Sequence, residues 1–305
     1  MAFKSKDEIV PSPYYAELLD EYHKEYRDVA ELKRLISNFN AKTQLLGLGA
    51  AEFIIFDNAV FMTKAPPKIE FLSVPEFVFG FASIKSIDYV LMHGNREYVF
   101  MNMTQDLHVK FNRPLVCIQL KIDTDKNNGY YFEYPDDNAA GNLFRYYAGS
   151  KLIVEDMVFG SAEGYGMFFC PHLREIEFRG KTDTSRMIYA DCMFMDTSLN
   201  ELVLPNGFDT SSTKSMSRMF KGSTFGVLDL SQCNFDTRNV DDFREMFKGC
   251  AWVDKFIVGS QFKVHKDKEY AEEAFEEMFD TCTGLFNSYK ELKEAGFIGR
   301  CYILH

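Results

Sequence analysis

Apolar positions between residues 165 and 260 recur at a fixed interval. Met-Phe pairs stand at Met167-Phe168, Met193-Phe194, Met219-Phe220, Met246-Phe247 and Met278-Phe279, with spacings of 26, 26, 27 and 32 residues. Apolar trios follow the first three pairs in one register: Leu173, Ile176, Phe178, then Leu199, Leu202, Leu204, then Phe225, Leu228, Leu230. A fourth set, Val253, Phe256 and Val258, fits with one inserted residue. Asp183-Thr184, Asp209-Thr210 and Asp236-Thr237 fall between the trios and the next pair. A unit this short cannot bury its own apolar face and must stack on its neighbours. The trio alternates in its last part, which predicts a short strand. Asp-Thr offers side-chain oxygens to free backbone N–H groups, which predicts a turn or helix start. Val240, Phe243, Met246 and Phe247 then predict a short helical turn with one apolar stripe.

The first half is patterned differently. Leu18, Tyr22, Tyr26, Val29, Leu32, Ile36 and Phe39 recur every three or four residues after Pro11 and Pro13, which predicts one amphipathic helix. Six short apolar runs, Glu52–Phe56, Ile69–Val74, Phe77–Phe81, Tyr98–Met103, Leu115–Ile122 and Tyr130–Tyr134, predict strands joined by turns. Tyr146–Phe159 has strand character and predicts one cryptic extra repeat. A drop in hydrophobicity at Asp136–Gly141 sets a boundary between 1–140, a helix and β-rich domain, and 141–305, the repeat array. Whether the first half is a separate domain or degenerate repeats stays open at this point. Apolar positions from Glu269 to Phe286 predict a helical C-terminal cap.

Phe235–Cys250 (FDTRNVDDFREMFKGC) and Phe208–Ser223 (FDTSSTKSMSRMFKGS) closely resemble the repeat of BspA-like bacterial surface proteins, a divergent leucine-rich repeat. The resemblance covers about residues 165–260. It implies a leucine-rich-like solenoid with a parallel sheet and a role in recognition, so the expected class is α+β. Two departures weigh against surface adhesion, the family's common role: an insertion from His265 to Glu273, and no apolar secretion signal in residues 1–30.

Composition narrows the functions. Acidic residues outnumber basic ones by 45 to 34, a net charge of −11, which argues against a nucleic-acid backbone as partner. No run is long and apolar enough to span a membrane. The cysteines form no C-x-x-C pair, and reduced thiols in a cytoplasm are the expectation. Phosphate-loop, nucleophile-elbow and zinc-protease motifs are absent, so neither a catalytic residue nor a metal or other cofactor is expected. Gly47-Leu48-Gly49 precedes a strand and lacks the third glycine of a dinucleotide loop. Thr197, Ser223, Cys250 and Cys282 occupy equivalent places after their Met-Phe pairs, which marks a small buried slot rather than a nucleophile.

Residues between the buried trio members should point outward. Glu175, Glu177, Glu201, Val203, Val227, Asp229, Lys255 and Ile257 are therefore expected to form rows on an exposed, mildly acidic sheet face. Such a face suits a protein partner with a basic surface. The leading expectation is a non-enzymatic recognition protein inside a cell, accessory or phage-encoded and capturing a host protein, with the N-terminal helix as a second contact or a homo-oligomer seam. The alternatives are an enzyme with its site in residues 40–150, and a structural subunit of a virion or surface layer.

Overall fold

The computed structural model describes residues 20, 24, 28–56, 59–75, 78–81, 98–115, 120–122, 130–132, 142–160, 164–284 and 289–297. Helix α1 (Val29–Leu45) starts where Asp28 leaves the helical region and its side chain accepts from Ala30 N at 2.8 Å. The helix therefore begins at Asp28, and the expected single helix from Leu18 does not run through this point. Its pattern before Asp28 lies outside the described residues, apart from Asp20 and Lys24. Leu32 of α1 is fully buried, and Leu35, Ile36 and Phe39 pack against the core.

Strands β1 (Glu52–Phe56) and β2 (Ala59–Lys64) pair antiparallel, and β2 pairs in parallel with β4 (Val78–Phe81). A second sheet is parallel throughout, in the order β3 (Phe71–Val74), β5 (Leu107–Phe111), β8 (Lys151–Glu155), β9 (Glu175–Arg179). A third, also parallel, runs β10 (Ser198–Val203), β11 (Thr224–Asp229), β12 (Ala251–Ile257). Between the two parallel sheets, Asn200 N still donates to Arg174 O at 3.0 Å. Two short strands, β6 (Leu120–Ile122) and β7 (Tyr130–Phe132), form a separate antiparallel pair. Among the described residues the chain thus mixes few helices with largely parallel sheets, an α+β composition. The sheet β3-β5-β8-β9 takes two strands from each side of residues 136–141, so it runs through the position where the sequence suggested a boundary.

Phenylalanine stacking explains the period. Phe100, Phe144, Phe168, Phe194, Phe220, Phe247 and Phe279 form one column, with successive ring centroids 5.0–5.7 Å apart and rings within 19° of parallel. The first six of these rings are fully buried, and Phe279 is nearly so. Val99-Phe100 and Leu143-Phe144 thus stand where later repeats place Met-Phe. The Tyr98–Met103 segment, expected as a strand, is a turn because it carries this ring position. The cryptic repeat is a real strand: Leu152 aligns with Ile176 and Val154 with Phe178.

Hydrogen bonds tie each repeat to the next. Thr184 Oγ1 donates to Asp209 O at 2.8 Å, Thr210 Oγ1 to Asp236 O at 2.9 Å, and Thr237 Oγ1 to Lys263 O at 2.6 Å. The paired aspartates accept from the N–H two residues on, at Ser185, Ser211 and Arg238, which is turn chemistry as expected. No helix follows. Glu245 has φ +53° and Gly249 φ +69°, left-handed positions that interrupt an α-helix, so Val240–Phe247 folds as tight turns. The same position before the Met-Phe pair is left-handed at Gly166, Cys192, Arg218, Glu245 and Glu277.

The expected C-terminal helix is also shorter. Glu272–Phe275 forms one 3-10 turn, and residues 285–288 lie outside the described residues. Helix α2 (Tyr289–Glu294) leads to Phe297, which stacks on Phe262 at 4.5 Å and meets Phe279 edge-on at 6.5 Å.

Candidate protein-binding face

Outward positions on the parallel strands align in rows because neighbouring strands share register. In the third sheet Glu201, Val227 and Lys255 form one row, and Val203, Asp229 and Ile257 the next. Glu201 and Lys255 are exposed, Val203 is 40% exposed, and Val227 and Ile257 are half-buried. Asp229 departs from the expectation. It is only 8% exposed, and its Oδ1 accepts from Ser231 N at 2.7 Å and Ser231 Oγ at 2.6 Å, so it caps the turn after β11 and adds no carboxylate to the face.

Glu175 and Glu177 are exposed as expected, but on β9, which pairs with β8 and lies in the other parallel sheet. Both are neutralised within the chain. Lys151 Nζ lies 2.8 Å from Glu175 Oε2, and Arg179 grips Glu177 through Nε at 2.7 Å and NH2 at 2.8 Å. The Arg179 fork holds the Glu177 carboxyl below its ordinary range. With Asp229 buried and held by Ser231, the face is less acidic than its composition implied.

The sequence reading missed the continuation of the face onto β3, β5 and β8. Register places Phe71, His108, Ile153 and Glu177 in one row, and Ser73, Lys110, Glu155 and Arg179 in the next. Phe71 is 48% exposed, and its ring meets the His108 imidazole edge-on at 4.7 Å. His108 Nε2 and Glu155 Oε2 are 2.7 Å apart, and Lys110 Nζ reaches Glu155 and, at 3.1 Å, Asp156. Lys110 and then His108 lower the Glu155 carboxyl. The strict alternation of LHVKF at 107–111, buried at Leu107, Val109 and Phe111, was the available signal.

The small-residue slot is filled as expected. Thr197 Oγ1 donates to Phe168 O at 2.9 Å, Cys250 Sγ to Phe220 O at 2.6 Å, and Cys282 Sγ to Phe247 O at 2.7 Å. Burial raises these thiols, Cys282 to about 12 and Cys250 well above its ordinary value, so both stay protonated. A cavity of about 400 Å3 beside the first ring of the column is walled by Tyr98, Met101 and Met103, with Lys64, Asn102 and Gln105 as polar groups. Among the described residues, no three His, Cys, Asp or Glu side chains converge to hold a metal ion. No described helix is long and apolar enough to cross a membrane.

Residues 167–291 match the model of a family described as "Mycoplasma protein of unknown function, DUF285". The match begins at the first Met-Phe pair and ends inside α2, so it covers the regular repeats and not the preceding strands. No curated protein and no solved structure matches the chain.

Proposed function

We propose that the chain is a non-catalytic recognition protein in which the stacked repeats form a leucine-rich-like solenoid of BspA type and the outward sheet rows meet a partner protein. The carrying observation is Phe71 and Ile153 in one row, with Val203 and Ile257 beyond it: apolar side chains, exposed at Phe71 and Val203 and half-buried at Ile153 and Ile257, on the side of the sheet away from the filled core. Apolar groups flanked by charges are the composition of a protein-contact surface. Glu201, which has no ion-pair partner among the described residues, favours a partner that presents Lys or Arg there. The reading extends to a reducing cellular interior, supported by five free cysteines among the described residues.

Affinity capture from lysate of the native host, with the full chain as bait, tests this. The double variant Phe71→Asp/Ile153→Asp should lose its captured partner while keeping the wild-type unfolding midpoint, since both side chains point outward. Undiminished capture by this variant, and by Glu177→Lys, would overturn the proposal.

A further inference from the structure

The charges on β5, β8 and β9 are paired within the chain, whereas Glu201 on β10 and Lys255 on β12 have no ion-pair partner among the described residues. These two stand in one row on either side of Val227. Each neighbouring strand adds about 4.8 Å, so the opposite charges flank β11 at about 10 Å from one another. The next row repeats the arrangement with apolar groups, Val203 and Ile257 on either side of Asp229.

This pattern is its own complement under one operation. Take a two-fold axis parallel to β11, lying above the face over Val227. It sets Glu201 against Lys255 of the other copy, Lys255 against Glu201, Val203 against Ile257, and Val227 against itself. Isologous contacts of this kind close at two subunits. Sheets that pack face to face keep their strands within about 30° of each other, which such an axis permits. Asp229, also on β11, meets its own counterpart across the axis, but it is only 8% exposed and its Oδ1 is held by Ser231 N and Oγ.

We infer that a second copy of this chain docks on the β10–β12 face, with reciprocal Glu201–Lys255 ion pairs around a Val203, Val227 and Ile257 centre. The inference rests on the sheet rows being a protein-binding surface and names one occupant for their C-terminal part. The contact is small, so association is weak and reversible.

Sedimentation equilibrium of the purified full chain over a concentration series tests it without any host factor. The expected result is a concentration-dependent dimer that weakens with salt. Glu201→Lys alone and Lys255→Glu alone each put like charges face to face and should weaken association about tenfold or more. The double variant Glu201→Lys/Lys255→Glu restores opposite charges and should dimerise nearly as well as the wild type. Val203→Lys should abolish the dimer. A wild type that stays monomeric at the highest attainable concentration, or a double variant no better than the singles, would overturn the inference. Either failure leaves the capture readout of Phe71→Asp/Ile153→Asp untouched, because those side chains stand on β3 and β8.

Discussion

At the residue scale, what a side chain does depends on its place in a column. Phe194 stacks between Phe168 and Phe220 and is fully buried, so Phe194→Ala opens a cavity that neither ring can fill. A loss of about 3–5 kcal/mol in urea unfolding is expected. Thr210 is buried by its methyl and anchored by its hydroxyl, which donates to Asp236 O at 2.9 Å. Thr210→Val keeps the shape and strands that carbonyl, at an expected cost of about 1–3 kcal/mol. Two carboxyls should respond to pH with opposite sign. Burial raises Asp191 to about 6 against the bond from Ser215 Oγ, with Asp242 adding to the rise. The folded form then holds a proton that the unfolded chain gives up near pH 4, so this group's contribution to stability falls between about pH 4 and 6. Asp191→Asn keeps the acceptor for Ser215 and should stabilise by about 1–2 kcal/mol at pH 7 and not at pH 4. At Glu245, burial is outweighed by Arg218 and Lys221, which lower its carboxyl to about 2. Its contribution is present above about pH 4.5 and lost toward pH 2, so Glu245→Gln should destabilise at pH 7 and leave the acid limb unchanged. Urea midpoints at three pH values separate the two cases.

At the scale of elements, left-handed residues decide where a repeat turns. Gly222 has φ +70°, and a methyl group added there would lie 2.1 Å from Asp196 Oδ1. Gly249, one repeat on, has φ +69° but nothing closer than 3.8 Å. Gly249→Ala should therefore cost only the left-handed penalty of about 1 kcal/mol. Gly222→Ala carries the same penalty plus displacement of Asp196, and a lower thermal midpoint than Gly249→Ala is the expected order. The same feature explains which elements were legible in the sequence. Strand positions were, because alternation at Ile176, Phe178, Leu202 and Leu204 reports which side of a sheet faces inward. The stripe Val240, Phe243, Met246, Phe247 was misread as helical, since spacing of three and four also arises when two tight turns present side chains to one core. The sign of φ at Glu245 leaves no mark on residue type there, and the hints to such turns were Gly166, at the same position before the first pair, with Gly222 and Gly249 after later ones. Strand β5 and the rings Phe100 and Phe144 escaped because Val99 and Leu143 replace the methionine that made the pairs recognisable. Within the candidate face, the rows Glu201–Lys255 and Val203–Ile257 followed from period alone. The burial of Asp229 required knowing that Ser231 offers two donors to it.

At the scale of the whole molecule, the continuous ring column makes the chain hard to divide. Phe144 contacts Phe100 on one side and Phe168 on the other, at 5.0 and 5.6 Å, and Tyr147 OH reaches back to Gln105 O at 2.6 Å. The strands repeat the coupling, since β8 pairs with β5 as well as β9. Cutting between 136 and 141 would leave residues 142–305 with Leu143, Phe144, Leu152 and Val154 uncovered on the end repeat, all of which are buried in the full chain. An array of this kind gains stability from neighbour contacts and needs covered ends. The N-terminal cover here is α1 with β1 and β2, whose Leu32, Val60, Phe61 and Met62 are buried in the same core cluster. A fragment of residues 142–305 should aggregate or expose apolar surface to a dye such as ANS, whereas the full chain should unfold in a single transition. A soluble fragment with its own cooperative transition, matching the second step of a two-step unfolding of the full chain, would show instead that the two halves are separately stable and that the column from Phe100 to Phe168 contributes little.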